Sequence, residues 1–194
     1  MTRSAALLAC SLLFLATCGV MGENGSGKAK AEARQLEPFH EFELEGALSA
    51  DISVGPSQAV EVSGDDNLVP LVRTKVKDGR LHVTTTKSMA TKLPLRVRVS
   101  VPTLTAVSLS GAGHLTVRGS TPRIDFDLSG AGSVDAQDLK AEEARARVSG
   151  AGDIDLYASR ALDVDVSGAG KVTYSGDPPN VTKDISGAGS LVKR

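Results

Sequence analysis

The chain has no tryptophan, two tyrosines, four phenylalanines and two cysteines in 194 residues. With so few large rings, a core has to be built from Val, Leu, Ile and Ala in many thin layers. Two cysteines exclude a disulfide framework and a cysteine-based zinc site. Neither sign of charge dominates: 22 Lys and Arg stand against 23 Asp and Glu, for a net charge of −1. That balance excludes a global basic field for nucleic acid and a strongly acidic disordered chain. No apolar run reaches the roughly 20 residues needed to cross a bilayer as a helix. The length suits one domain with a core and is marginal for two.

The amino terminus reads as an export signal. Arg3 supplies a short positive region, and Ala5 to Ala16 is apolar apart from Ser11. Such a run is too short to span a membrane and has the length of a signal-peptide core. It ends in Leu15-Ala16-Thr17-Cys18-Gly19, which resembles the lipobox of bacterial lipoproteins, with Thr17 departing from the usual Gly, Ala or Ser. The resemblance implies cleavage after residue 17 (signal peptide 1–17), a lipidated Cys18 and a membrane anchored through its acyl chains. Gly19 after the cysteine is similar to lipoproteins sorted to the outer membrane. Cleavage by the general signal peptidase is the alternative.

Residues 18–36 are then expected to be a lipidated N-terminus and flexible linker, rich in Gly, Ala and charge. Gly22 to Lys28 matches the G-x-x-x-x-G-K of a phosphate-binding loop, but Ala29 stands where a Ser or Thr must hold magnesium. A linker is the better reading.

From residue 37 to 194 an internal repeat dominates. Ser-Gly-Ala-Gly occurs five times, starting at Ser110, Ser129, Ser149, Ser167 and Ser186, with spacings of 19, 20, 18 and 19. The paired glycines are Gly111 and Gly113, Gly130 and Gly132, Gly150 and Gly152, Gly168 and Gly170, Gly187 and Gly189. Apolar residues flank each motif at alternating positions, for example Val107 and Leu109 before the first, Leu115 and Val117 after it. Period-2 alternation predicts strands with one buried face. Each repeat is expected to be strand, Gly-rich corner, strand and variable return. The glycines serve a corner that a Cβ would block, and the serines are expected to bond neighbouring amides.

A unit of about 19 residues cannot bury its apolar face alone and has to stack on its neighbours. The expected fold class is all-β, a right-handed parallel β-helix (a solenoid of about 19-residue coils) preceded by irregular N-terminal strands. No leucine-rich-repeat frame is present. An antiparallel meander also gives alternation, but does not explain one corner every 18–20 residues. Parallel stacking further predicts two outward columns of alternating sign, Asp125-Arg145-Asp163 and Asp127-Arg147-Asp165. Residues 39–101, with a hairpin signal at Asp78-Gly79, read as degenerate first coils and a cap.

The segment Phe39 to Val54, V-E-V-S-G-D-D-N-L-V-P at 60–70, V-K-D-G-R-L-H-V at 76–83, S-V-P at 100–102 and the serial S-G-A-G motifs together resemble the bacterial auto-transporter adhesin head GIN domain family. The resemblance covers nearly all of 36–194. It implies a shape similar to pectin-lyase-like β-helices without their catalytic residues, and a role in adhesion at the cell envelope.

Chemistry-bearing residues are sparse. The five repeat serines are equivalent, and His40, His82 and His114 are scattered, so no unique Ser-His-Asp set stands out and catalytic residues are expected to be absent. Asp135 and Asp155 fall in one outward column with Asp153 beside them, a weak calcium candidate. Otherwise no metal and no cofactor is expected. Two functions remain. One is a non-enzymatic binding, adhesion or scaffolding module, lipid-anchored at Cys18 in the outer membrane and exported to the envelope, with an envelope protein or glycan as ligand and no nucleic acid. The other is a carbohydrate-active enzyme of β-helix shape, a polysaccharide lyase or glycosidase, which would need a cleft of convergent acids and bases. An open strand edge near Leu191-Val192 would permit weak homo-oligomers, which Lys193 and Arg194 would discourage.

Overall fold

The computed structural model describes residues 22–194. The signal peptide 1–17, Cys10 and Cys18 therefore lie outside the described residues. The described residues are all-β apart from one short 3-10 turn at Val69–Leu71. Its strands are β1 (Glu23–Asn24), β2 (Ala29–Ala33), β3 (Glu41–Gly46), β4 (Ser49–Val54), β5 (Ala59–Asp65), β6 (Val72–Lys77), β7 (Arg80–Thr85), β8 (Met89–Ala90), β9 (Arg96–Val101), β10 (Ala106–Gly111), β11 (His114–Gly130), β12 (Ser133–Gly150), β13 (Asp153–Gly168), β14 (Lys171–Ser175), β15 (Asn180–Gly187) and β16 (Ser190–Lys193). Fourteen of them form one mixed sheet, and β1 and β8 form a small second one.

The repeats appear in this sheet as parallel layers. The strand segments before the corners pair in the order β3, β10, the end of β11, the end of β12, the end of β13 and β15. The segments after the corners pair as β4, the start of β11, the start of β12, the start of β13, β14 and β16. A third, shorter parallel ladder joins the returns, where Gly119, Ser120 and Thr121 lie opposite Leu139, Lys140 and Ala141.

Alternation puts one residue in two inside. One inward column runs Leu81, Phe42, Val107, Phe126, Ala146 and Val164, all buried. Large side chains sit beside smaller ones, which lets successive layers close up without large rings elsewhere.

The amino-terminal end departs from an all-parallel coil. β7 and β9 lie parallel beneath β3 and β4, so they make an extra, corner-less layer joined by the loop 86–95. Beyond them β6, β5 and β2 pair antiparallel. Residues 39–101 thus supply a first layer, β3 with β4, and irregular end strands, as expected of degenerate coils and a cap; what the sequence did not foretell is that the end strands reverse and pair antiparallel.

The expectation of a flexible linker over 18–36 is corrected for its described part. Residues 23–33 form a strap, with β1 paired to β8 and β2 to β5. Between them the strap wraps the carboxylate of Asp65, which is fully buried. That carboxylate accepts hydrogen bonds from the backbone N–H groups of Gly27 (2.7 Å), Lys92 (3.0 Å) and Leu93 (3.0 Å). Burial pulls its pKa up, but these three bonds and the nearby Lys92 charge outweigh burial and hold it below its ordinary 3.8. The strap is thus fixed by strand pairing, by the buried Asp65 and by polar bonds from Asp66 and Asn67, not by apolar side chains, and a composition reading misses it.

Because the folded carboxyl of Asp65 titrates below its unfolded value, its stabilisation is complete above that value and drains away as pH falls through the folded one. Hydrogen exchange of residues 25–33 should therefore show protection at neutral pH that fails in acid, below about pH 3.9. In Asp65→Asn, which retains little capacity to accept three donors, the strap should exchange fast at all pH values. An acid-insensitive strap in the wild type would contradict this account.

Candidate functional site

The five motif serines occupy one register position, Ser110, Ser129, Ser149, Ser167 and Ser186 being successive partners, and the first glycines Gly111, Gly130, Gly150, Gly168 and Gly187 form the neighbouring column. Gly46 lies beneath Gly111 in that column. The corner Glu45-Gly46-Ala47-Leu48 is thus a further corner that a search for Ser-Gly-Ala-Gly overlooks.

Gly130 shows why the first position admits only glycine. Its φ is +119°, and a Cβ there would sit 2.5 Å from the carbonyl oxygen of Gly111. The second glycine is excluded from substitution by space alone: a Cβ on Gly132 would meet both the Gly113 oxygen and Leu109 Cδ2 at 2.7 Å. With no Cβ in the way, the backbones bond corner to corner. Ala131 N–H donates to Gly111 O at 2.9 Å and Ser133 N–H to Gly113 O at 3.0 Å, and the same pair recurs in each layer above.

The serines do not carry this ladder. Of the five motif serines, only Ser186 reaches a backbone group with its Oγ, Val166 O at 3.5 Å. The hydroxyls point out and are exposed, which corrects the expectation that they bond neighbouring amides. The backbone satisfies itself first.

The outward columns fall in register: Asp125 opposes Arg145, which opposes Asp163, and Asp127 opposes Arg147, which opposes Asp165. Arg145 Nε lies 3.3 Å from Asp163 Oδ2 and Arg123 Nε 3.7 Å from Asp125 Oδ1. Nearer the amino terminus Arg80 bonds Glu41 at 2.8 Å and approaches Glu43 at 3.4 Å. The bond to Glu41, and then Glu43, hold its guanidinium above its ordinary pKa against partial burial.

The acidic candidates are brought into line but not together. Asp135 lies directly opposite Asp155 in the next layer, with Thr116 below and Thr173 above. Asp153 is two residues along, opposite Ser133 and Lys171. No group of three or more metal-ligating side chains converges among the described residues, so the calcium set Asp135, Asp153 and Asp155 is not assembled. His114 Nδ1 meets Ser133 Oγ at 2.7 Å and has no carboxylate partner among the described residues.

One groove, of about 760 Å³, opens between the corner at Gly46 and the loop 86–95 and is lined by residues such as Ser49, Thr85, Ser88, Met89, Leu95 and Arg96. Its lining contains no Asp, Glu or His. Acid–base cleavage of a glycosidic bond needs two carboxyls facing across the scissile bond, and this groove supplies neither. A second groove, of about 610 Å³, holds Asp51 and Glu61, but Arg96 and Arg98 pair with them at 3.2 and 3.0 Å.

Two substitutions test this geometry. Gly130→Ala should cost at least about 1–3 kcal/mol from backbone strain alone, whereas Ser129→Ala beside it should stay within about 0.5 kcal/mol, both read from urea midpoints. Asp135→Asn removes one of two stacked like charges and should raise stability by about 0.2–1 kcal/mol in the presence of a chelator. A fall on that substitution that appears only when calcium replaces the chelator would mean the pair holds the ion.

One solved structure shares this fold, and others align with it less closely. A putative adhesin from Bacteroides fragilis NCTC 9343 superposes with a TM-score of 0.60 at 19% identity, over 89% of this chain and 100% of that one. A putative lipid binding protein from Parabacteroides distasonis ATCC 8503 gives 0.45 at 18% identity, over 88% and 98%. A putative adhesin from Parabacteroides merdae ATCC 43184 gives 0.48 at 16% identity, over 88% and 98%. Among curated proteins, none matches the chain. The family described as "Putative auto-transporter adhesin, head GIN domain" matches residues 38–121 and 107–178. These spans hold the extra corner at Gly46 and the first four Ser-Gly-Ala-Gly corners, and together they exceed half of the sequence, so the chain belongs to that family.

Proposed function

We propose that this protein is an exported, non-enzymatic binding module of the cell envelope, anchored in the outer membrane through lipid on Cys18, whose repeated layers present a surface for adhesion to a glycan or an envelope protein. The observation that carries the reading is the single register shared by the stacked corners and outward columns. Such a surface offers the same chemistry again and again and draws affinity from area and avidity. Family membership among adhesins supports exposure at the cell surface, and Leu15-Ala16-Thr17-Cys18 supports the anchor.

In this reading the layers are successive turns of one right-handed parallel solenoid. Each parallel crossover through the returns near 118–123, 137–143, 158–160 and 175–180 is expected to take the right-handed path that parallel connections nearly always take. Nearest-neighbour stacking then builds the length of the surface.

The full protein, displayed on beads and probed with an array of glycans and matrix proteins, should bind saturably and leave its ligands intact. Newly formed reducing ends or unsaturated sugars in the bound glycans would overturn the non-enzymatic reading in favour of a lyase or glycosidase. Labelled palmitate should enter the wild-type protein and be absent from Cys18→Ser. Equal labelling of the two would remove the anchor.

A further inference from the structure

We infer that the amino-terminal end of the stack docks on an anionic membrane surface, so that the layers stand upright away from the lipid. This rests on the proposed anchor at Cys18. The first observation is distance along the chain. Cys18 precedes Glu23 by five residues, a span of at most about 18 Å when fully extended. Glu23 is already fixed: its N–H donates to Ser88 O at 2.9 Å, and its carboxylate lies 3.6 Å from Lys87 Nζ. An acyl-anchored cysteine therefore keeps the loop 86–95 close to the headgroups, and a long free tether does not exist.

The second observation is independent of the first. Although the whole chain is nearly neutral, residues 70–100 hold eight Lys and Arg against a single acid, Asp78. This segment supplies β6, β7 and β9 of the end of the stack: β6 is the last strand of the sheet path, and Thr86 N–H bonds Leu71 O at 3.1 Å to hold the loop against it. Beyond β9, β5 and β2 with their flanking residues add Glu32, Glu61, Asp65 and Asp66 against Lys28, Lys30 and Arg34 without reversing the basic excess. Some of these charges pair with acids of neighbouring strands, as Arg80, Arg96 and Arg98 do. Arg73, Lys75 and Lys77 have no carboxylate within salt-bridge distance among the described residues, whereas the Lys92 charge acts on Asp65. Arg73, Lys75 and Lys77 alternate along one side of β6 and are exposed.

A row of unpaired cations beside the point where the chain leaves for its anchor is complementary to lipid phosphates. Each basic side chain near an anionic leaflet strengthens attachment about fivefold, and the effect fades within a Debye length of about 8 Å. Lysines on an edge strand also hinder pairing with another sheet edge. That role predicts an effect on oligomeric state and none on distance to the membrane.

Thr182 is six layers away from Arg80 along one column, roughly 29 Å at 4.8 Å per layer. Energy transfer to a headgroup acceptor can therefore read the orientation. The acylated full protein, labelled through Ser88→Cys or through Thr182→Cys, is reconstituted in phosphatidylcholine vesicles with about 30% phosphatidylglycerol, an anionic content that gives a leaflet potential of tens of millivolts. Transfer from position 88 should exceed that from position 182 by at least about threefold, given the separation of layers. High salt, or Arg73→Glu with Lys75→Glu and Lys77→Glu, should let the stack tip toward the lipid and at least roughly halve the ratio of transfer at 88 to transfer at 182 while the protein still floats with the vesicles. The glutamine versions of the same three substitutions, which reverse no charge, should give a smaller loss in the same direction. Equal transfer from both positions, or transfer indifferent to salt and charge in a protein that floats, overturns the docking and leaves the anchor standing. So does a charge variant that changes only its sedimentation. A wild-type protein that fails to float overturns the anchor and the docking with it.

Discussion

The close approach of one corner's carbonyl to the corner above it is the constraint on which the structure depends. At Gly130 the Gly111 oxygen occupies space that any Cβ would need, and the amide of Ala131 uses that closeness to bond the same oxygen. The corner is therefore a backbone-on-backbone contact with nothing between the layers. Once that contact is made at every corner, the strands on both sides have no freedom to slide. A shift by one residue would turn the buried column of Phe126, Ala146 and Val164 to solvent. In the Ser-Gly-Ala-Gly layers, register, core and outward columns all follow from two glycines per corner.

How far this was legible in the sequence depended on whether a feature repeats. The corners, the period-2 flanks and the alternating Asp-Arg-Asp columns were readable because parallel stacking copies each position at a fixed interval. The corner at Gly46 was not, because Leu48 stands where every other corner has glycine. The structure explains the substitution. The second glycine is needed where a corner lies directly underneath, and beneath Leu48 the chain makes the wide loop 86–95 and leaves a groove. Gly46 itself stays glycine because its φ is +106°, a conformation that L residues rarely adopt.

The strap was illegible for a different reason. Lys30, Glu32 and the alanines between them do alternate with period 2, but the alanines are exposed, so the alternation marks no apolar face. Its fixation centres on Asp65, helped by Asp66 and Asn67, which in the sequence read as ordinary polar residues of a turn, Gly64-Asp65-Asp66-Asn67. A buried carboxylate satisfied by three backbone amides leaves no pattern in the residues it binds, since any residue offers an amide. The candidate binding surface is hard to read on the same principle. Affinity from area needs no motif, so the residues that would carry it look like ordinary solvated strand positions.

The two ends of the stack solve one problem in opposite ways. A layered core can add layers wherever its last inward column stays apolar. At the amino-terminal end the problem is met by topology: β6, β5 and β2 run antiparallel and close over the sheet. At the other end it is met by chemistry. The inward columns that hold Val164 and Tyr174 continue in the last layer as Lys183 and Lys193. Lys193 bonds Asp177 at 2.5 Å, and that bond raises its pKa, so it stays charged. A further layer laid on these lysines would have to desolvate two ammonium groups, a penalty of several kcal/mol per ion even after relaxation. The apolar columns therefore stop where lysine enters them. The charge that terminates the core at one end and the cations that crowd the other give a nearly neutral chain two chemically distinct ends, which a repeat of identical layers could not provide.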